Sequence, residues 1–300
     1  SRLNNFVDAK ELYEKAINLT VQTGDCKEEA DTCGEFGKLL LELSEYKKAK
    51  SYIERALTIR KEIGDKDGEA KAYGNLGVMF YYLGEYAKAK EYIEKALVIR
   101  TEIGDRSGEV ADYTSLGNVF HSLGDVTRAR EYYEKALAIA INICDSDKEV
   151  RLYRCLGNMF FNLGEGNKVK EYYEKALAIR NVIGDRRGEA EDCEALGNLF
   201  QLLSEFTKTK EYLERALAIR REIGDRRGEA ANYGNLGAVF QSLGEYANAK
   251  ECYEKGLAIR VEIGDREGAA ADHGNLGNLF QSLGEYIRRS EERRVGKECR

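Results

Sequence analysis

The sequence predicts an all-α fold, a right-handed superhelix (alpha solenoid) of antiparallel helix pairs. Three observations predict it: a unit of 40 residues recurs without insertion, proline is absent from the 300-residue chain, and apolar residues fall at spacings of three and four. Gly64–Asp65 returns as Gly104–Asp105, Gly184–Asp185, Gly224–Asp225 and Gly264–Asp265. Gly24–Asp25 opens this series, and Cys144–Asp145 is its variant. Leu76–Gly77 and Ala56 begin two further series in the same register, the second broken at Gly256. Such a unit cannot bury its apolar face alone and must stack on its neighbours, so the repeat overrides the two-domain expectation that length alone suggests.

Residues 64–103 serve as the model unit. Gly64 suits the left-handed residue that ends a helix, and Asp65 is placed to cap the next one. Gly68 stands three residues on where a capping box needs Glu, so no such box forms. Helix A is expected over 66–82, with Tyr73, Leu76 and Phe80 on its buried face, and Gly84 ends it. Helix B is expected over 85–103, with Tyr86, Ala89, Ile93, Ala96 and Leu97 in one stripe and Glu91–Lys95 as a solvated i,i+4 pair. Gly77, Ala89 and Ala96 are small where helices approach closely.

The array, residues 1–286, therefore holds a helix-B half repeat at 1–23, six full repeats over about 26–263 and a helix-A half repeat at 266–283, with the ends read as edges of an excerpt. Ser44, Gly84, Gly124, Gly164, Ser204, Gly244 and Gly284 mark the A–B turns. Residues 287–300 leave the register, with Arg289 where Ala89 and Ala249 stand, and are expected to be a disordered tail or sequence foreign to the array. The repeat starting near 146 is expected to be the weak one, because Gly166 replaces Tyr86 and Val169 replaces Ala89.

Composition narrows the function. Lys plus Arg is 47 against 53 Asp plus Glu, a net charge of -6, which does not supply the cationic field of a nonspecific nucleic-acid binder. No apolar run reaches membrane-spanning length. The 7 cysteines are few, odd in number and scattered over unrelated register positions. They suit a reducing, cytoplasmic compartment and neither a disulfide framework nor a metal centre. No catalytic motif, metal site or cofactor site is expected, and the chain is read as a non-enzyme. Free apolar ends predict a monomer in dilute solution with end-to-end association at high concentration.

The places of Tyr73, Leu76–Gly77, Phe80, Ala89, Ile93 and Ala96 resemble the tetratricopeptide repeat (TPR), although the usual unit is shorter and ends in proline. The longer unit with its Gly–Asp–Arg linker is similar to the forty-residue variant of the LGN/Pins spindle-orientation adaptors and of large invertebrate TPR proteins. Those adaptors also carry GoLoco motifs; none is recognised in this sequence, so their G-protein binding is not carried over. The resemblance implies a superhelix in which helix A lines a concave groove.

On that basis the stripe opposite Leu76 and Phe80 holds the candidate peptide-binding residues: Asn75, Asn118, His121, Asn158, Asn198, Asn235, Asn275 and Asn278, the charges Arg151 and Arg154, and the aromatic anchors Tyr81, Tyr82 and Phe161. Asparagine is a poor helix former whose amide can donate to and accept from a peptide backbone, so a ladder of them suits an extended chain. The alternative is that each Asn ties one helix to the next. Arg151 and Arg154 are expected to meet an acidic side chain of the partner. Glu191, Glu194, Asp31 and Glu35 add opposite charges that set its polarity. The leading expectation is a protein–protein interaction scaffold that binds an extended or partly helical segment. The alternative is a structural or self-associating spacer without a dedicated peptide ligand.

Overall fold

The computed structural model describes the backbone of residues 2–298 and the side chains of residues 6–284. Fourteen helices and no strand occur among the described residues. They are α1 (Arg2–Thr23), α2 (Cys26–Glu42), α3 (Tyr46–Glu62), α4 (Lys66–Tyr82), α5 (Tyr86–Ile103), α6 (Arg106–Ser122), α7 (Val126–Asn142) and α8 (Ser146–Asn162), then α9 (Gly166–Ile183), α10 (Arg186–Leu202), α11 (Phe206–Glu222), α12 (Arg226–Ser242), α13 (Tyr246–Glu262) and α14 (Arg266–Glu298). Even-numbered helices are the A helices and odd-numbered ones the B helices.

Each junction is built from local chemistry. Gly64, at φ +72°, takes the left-handed conformation that closes α3. Asp65 Oδ1 then accepts the Gly68 N–H at 3.0 Å and caps α4. Ser44, Cys144 and Ser204 adopt the same turn at φ 59°, 55° and 59° without being glycine. Within a pair the helices touch closely: a Cβ on Gly77 would lie 2.5 Å from Ile93 Cγ1, and one on Gly117 would lie 2.5 Å from Tyr133 Cε1.

The chain divides into two compact units, residues 1–152 and 153–300. In the first, Phe36, Leu40, Ile53, Leu76, Met79, Ile93 and Leu116 form a continuous buried core, joined by Phe80 and Val119. In the second, Leu213, Tyr233, Leu236, Val239, Phe240, Tyr253 and Leu279 do the same. The expected apolar faces are therefore the buried ones. One ring pair recurs: Phe80–Tyr92 and Phe120–Tyr132 stack at 5.3 Å, Phe160–Tyr172 at 5.6 Å and Phe200–Tyr212 at 5.5 Å between centroids.

No turn forms at Gly284, and α14 continues through it to Glu298, across most of the segment expected to be disordered. Cys299 and Arg300 lie outside the described residues. The Arg and Glu residues there are good helix formers. The segment also lacks the small-residue stripe that would draw a helix B back onto α14, so nothing forces a turn.

Candidate functional site

The stripe of α4 opposite Leu76 and Phe80 meets the turn between α2 and α3 to form a cavity of about 400 Å³. Leu41, Tyr46, Val78 and Tyr82 give it an apolar lining; Lys38, Glu42, Ser44 and Asn75 give the polar rim. Tyr82 is 62% exposed, an aromatic surface without a covering side chain. Tyr81 is half-buried, packs edge-on to Tyr82 at 5.7 Å and hydrogen-bonds Ser122 across 3.0 Å. Of the expected residues, Asn75 and Tyr82 come together here. Leu41 and Tyr46 were not expected: Leu41 holds the register of Tyr81 on the preceding A helix, and Tyr46 opens α3.

A second hollow of about 260 Å³ lies between α6 and the start of α8, where Asn118, Thr114 and Ser115 face Lys148 and Arg151. Arg151 is exposed, so this hollow carries a solvent-facing positive rim. His121 is half-buried one turn further along α6.

In the second unit three of the expected residues, Arg154, Asn158 and Asn235, bond within the chain. Arg154 lies 3.1 Å from Glu191 and 3.4 Å from the buried Asp192, so it is paired within the chain. Tyr173 donates to Asn158 Oδ1, and Asn235 Nδ2 donates to Glu194 Oε1 at 3.0 Å. In the first unit Tyr133 likewise donates to Asn118 Oδ1 at 2.7 Å. Three of the seven asparagines thus tie helices together through one end of the amide. Asn198 and Asn278 are exposed, Asn275 is half-buried, and Phe161 is 44% exposed.

The recurrent polar feature that the stripe reading missed is an arginine at the end of the B helices. Arg60 and Arg100 donate to the carbonyls of Gly68 and Gly108 at 3.0 and 2.7 Å, and Arg260 donates to that of Gly268. Glycine is required there: a Cβ on Gly68 would lie 2.5 Å from Arg60 Cδ, and one on Gly108 would lie 2.4 Å from Arg100 Cδ. Three arginines of this register reach buried carboxylates of the next A helix, Arg100–Asp112 at 2.9 Å, Arg180–Asp192 at 2.8 Å and Arg260–Asp272 at 3.3 Å.

Where that Asp is missing, the arginine turns back within its own repeat. Arg60, before Ala72, pairs with Asp31, and Arg220, before Asn232, pairs with Glu194. Asp31 and Glu194 are therefore structural partners rather than free groove charges. At one junction the whole set is exchanged: Ala140 replaces the arginine, Lys148 the glycine and Leu152 the aspartate, with Ala140 and Leu152 both buried. Burial outweighs the arginine's attraction and pushes Asp112 up to about 7 and Asp192 up to about 6.

The described residues include no group of three or more His, Cys, Asp or Glu placed to hold a metal, and no helix is long and apolar enough to cross a membrane. Burial raises the thiol of Cys33, and that of Cys193 to about 11, which makes both poor nucleophiles.

The tetratricopeptide repeat family matches residues 30–63, 68–142, 193–260 and 228–288. The chain belongs to that family. No curated protein matches it. Among solved structures it is similar to a signal-transduction ATPase with a tetratricopeptide repeat sensor from Pyrococcus horikoshii, at 17% identity and TM-score 0.62, over 94% of this chain and 46% of that one. It is also similar to a Rap protein complexed with competence and sporulation factor (15%, TM-score 0.55, 86% of this chain and 81% of that one). A third likeness is to the APC/C hetero-tetramer Cut9–Hcn1 (18%, TM-score 0.55, 88% and 46%). At these identities the likeness is one of fold.

Proposed function

We propose that the chain is a non-catalytic interaction scaffold, an adaptor in the reducing cytoplasm, whose A-helix stripe holds an extended or partly helical segment of a partner protein. The observation that carries this reading is the α2–α4 cavity, where an exposed Tyr82 and the side chains of Val78, Leu41 and Tyr46 sit beside the amide of Asn75. An aromatic anchor in an apolar pocket with one adaptable polar group is how peptide-binding surfaces concentrate affinity. The Rap protein complexed with competence and sporulation factor and the Cut9–Hcn1 assembly lend support, since each has this fold and a bound partner. Arg151, on the rim of the α6–α8 hollow, would select an acidic side chain in the same segment, while Lys148 is held by Asp145. Arg154, matched by Glu191 and Asp192, is left out of that role.

The test is a titration of a dye-labelled peptide, leucine and tyrosine followed by two aspartates, against the chain and two variants. Tyr82→Ala is expected to weaken binding about tenfold or more, as loss of a buried aromatic anchor does. Arg151→Glu is expected to weaken this peptide but spare one with serines in place of the aspartates. Melting curves should be unchanged, because both side chains are exposed. Binding that survives both substitutions would remove the stripe as the partner site. Light scattering that shows mass rising with concentration, with no peptide bound, would favour a self-associating spacer.

A further inference from the structure

A larger cavity, about 560 Å³, opens between the first half of α4 and the second half of α5. It does not share a residue with the stripe cavities. Its lining includes Glu69, Tyr73, Glu94, Lys95, Val98 and Glu102, and in all four glutamates and two lysines contribute to it. The side chain of Glu69 is only 10% exposed, and its ion-pair partner is Lys66 at 2.8 Å.

The sister repeats show what the Glu69 register accepts. Glu29, Glu109, Glu149, Glu189 and Glu229 hold the equivalent place, forty residues apart in multiples; Glu29, Glu189 and Glu229 take an arginine from a B helix, whereas Glu109 pairs with Arg106 of its own helix. Arg55 Nη2 lies 2.7 Å from Glu29 Oε1, and Arg215 Nη2 donates to Glu189 Oε1 at 2.7 Å. Arg221 Nε donates to Glu229 Oε1 at 3.0 Å while its guanidinium sits 5.2 Å from the centre of the Tyr233 ring. In the α4–α5 repeat, as in the two repeats that follow it, neither arginine exists. Lys95 stands in the place of Arg55 and Arg215 and is bound to Glu91 at 2.6 Å, and Lys61 stands in the place of Arg221 with its ammonium 5.0 Å from the centre of the Tyr73 ring, so an incoming guanidinium would displace an ammonium there. The exchange is coordinated: Arg55 and Arg215 accompany Cys33 and Cys193, whereas Lys95 accompanies Tyr73. Val98, 57% exposed, holds a position that is Thr or Ala in the other repeats and enlarges the apolar wall.

We propose that the α4–α5 cavity is a docking site for an arginine side chain of a partner protein, its guanidinium held between Glu69 and the Tyr73 ring and the next apolar residue resting on Val98. The planar fork matches a carboxylate and stacks on an aromatic face, which an ammonium does less well. The excess of glutamate over lysine gives the opening the complementary sign. The site is independent of the A-helix stripe and holds whether or not that stripe binds a segment.

The probe is a fluorescein-labelled peptide amide, Gly–Ser–Arg–Leu–Gly, titrated against the full chain beside counterparts with lysine or citrulline for arginine. The arginine peptide is expected to bind about tenfold tighter than the citrulline one and about fivefold tighter than the lysine one. The double variant Tyr73→Cys/Lys95→Arg copies the Cys33/Arg55 arrangement and supplies Glu69 with a guanidinium of its own. It should lose binding by about tenfold or more through occupation of the seat. Val98→Lys, at an exposed position that leaves folding unaffected, should cost about fivefold or more. Tyr82→Ala should leave the affinity unchanged, which separates this site from the stripe. Equal binding of the citrulline peptide, absence of binding by the arginine peptide, or full affinity in Val98→Lys would each overturn the proposal.

Discussion

Glycine at the register of Gly77 and glycine three residues earlier look equivalent in the sequence, yet they carry opposite consequences. A Cβ on Gly237 would meet the Tyr253 ring at 2.6 Å, whereas one on Gly234 would find its nearest neighbour at 3.8 Å. Gly237→Ala is expected to destabilise by about 1–3 kcal/mol, since the ring sits in a close-packed pair and cannot move far. Gly234→Ala should stabilise by up to about 1 kcal/mol through helix propensity. Urea midpoints of the two variants decide it; a loss in both would mean that Gly234 is also a close contact. The first position was readable from the sequence as a Leu–Gly series. The second was not distinguishable from it, because spacing gives the face of a helix but not the distance to what lies across it.

At the scale of the helix, local chemistry was almost fully legible. The unit expected at 66–82 and 85–103 forms at Lys66–Tyr82 and Tyr86–Ile103, because the linker glycine and capping aspartate fix both ends. The pairing between helices was less so. The arginines at 60, 100, 180, 220 and 260 read as ordinary cations at helix C-termini, where the dipole favours them. Only the structure shows that each needs a glycine eight residues on and a carboxylate to receive it. Of the asparagine stripe, Asn118, Asn158 and Asn235 spend part of their hydrogen-bonding capacity within the chain. Helix α9 is the element expected to open most readily. It begins at Gly166, where a Cβ would already approach Leu203 at 3.4 Å and the ring that Tyr46, Tyr86, Phe206 and Tyr246 supply is missing. Hydrogen exchange over 166–183 should be faster than over 206–222, whose helix begins with Phe206. Equal or slower exchange there would show that the valine at 169, fully buried, makes good the missing ring.

At the scale of the whole molecule, the buried carboxylates set a pH dependence. Asp112 and Asp192 have folded-state values raised to about 7 and about 6 by burial, above the ordinary aspartate value that holds when unfolded. Between roughly pH 4 and 7 the folded chain therefore binds more protons than the unfolded one, and stability falls as pH rises through that window. The contribution is complete below the unfolded value and lost above the folded one. Asp125 and Asp145 act in the other direction: backbone and side-chain hydrogen bonds from Arg128 and Lys148 lower them, so their contribution is lost only as the pH falls further. Thermal midpoints at pH 5 and 8 should differ less in Asp112→Asn than in the parent chain, and an unchanged difference would assign the dependence to other groups. The Ala140–Leu152 junction shows that the ionic set is dispensable for packing. That accords with the general finding that a buried ion pair contributes little net stability, while half of one is costly.

That exchange of a whole set has a bearing on how such a gene can shrink or grow. Near-identical units invite unequal crossing-over in steps of forty codons. Loss of 101–140 would bring Arg100 up against Lys148 and Leu152, a buried cation facing a side chain that fills its path and another that cannot receive it. Loss of 141–180 would leave Asp192 behind Ala140 with its arginine gone. Loss of 181–260 would instead join Arg180 to Gly268 and Asp272, a matched set. Copies of this array that differ in length should therefore differ by the steps that keep arginine, glycine and aspartate together, and the mismatched lengths should be the ones that fail to accumulate as folded protein.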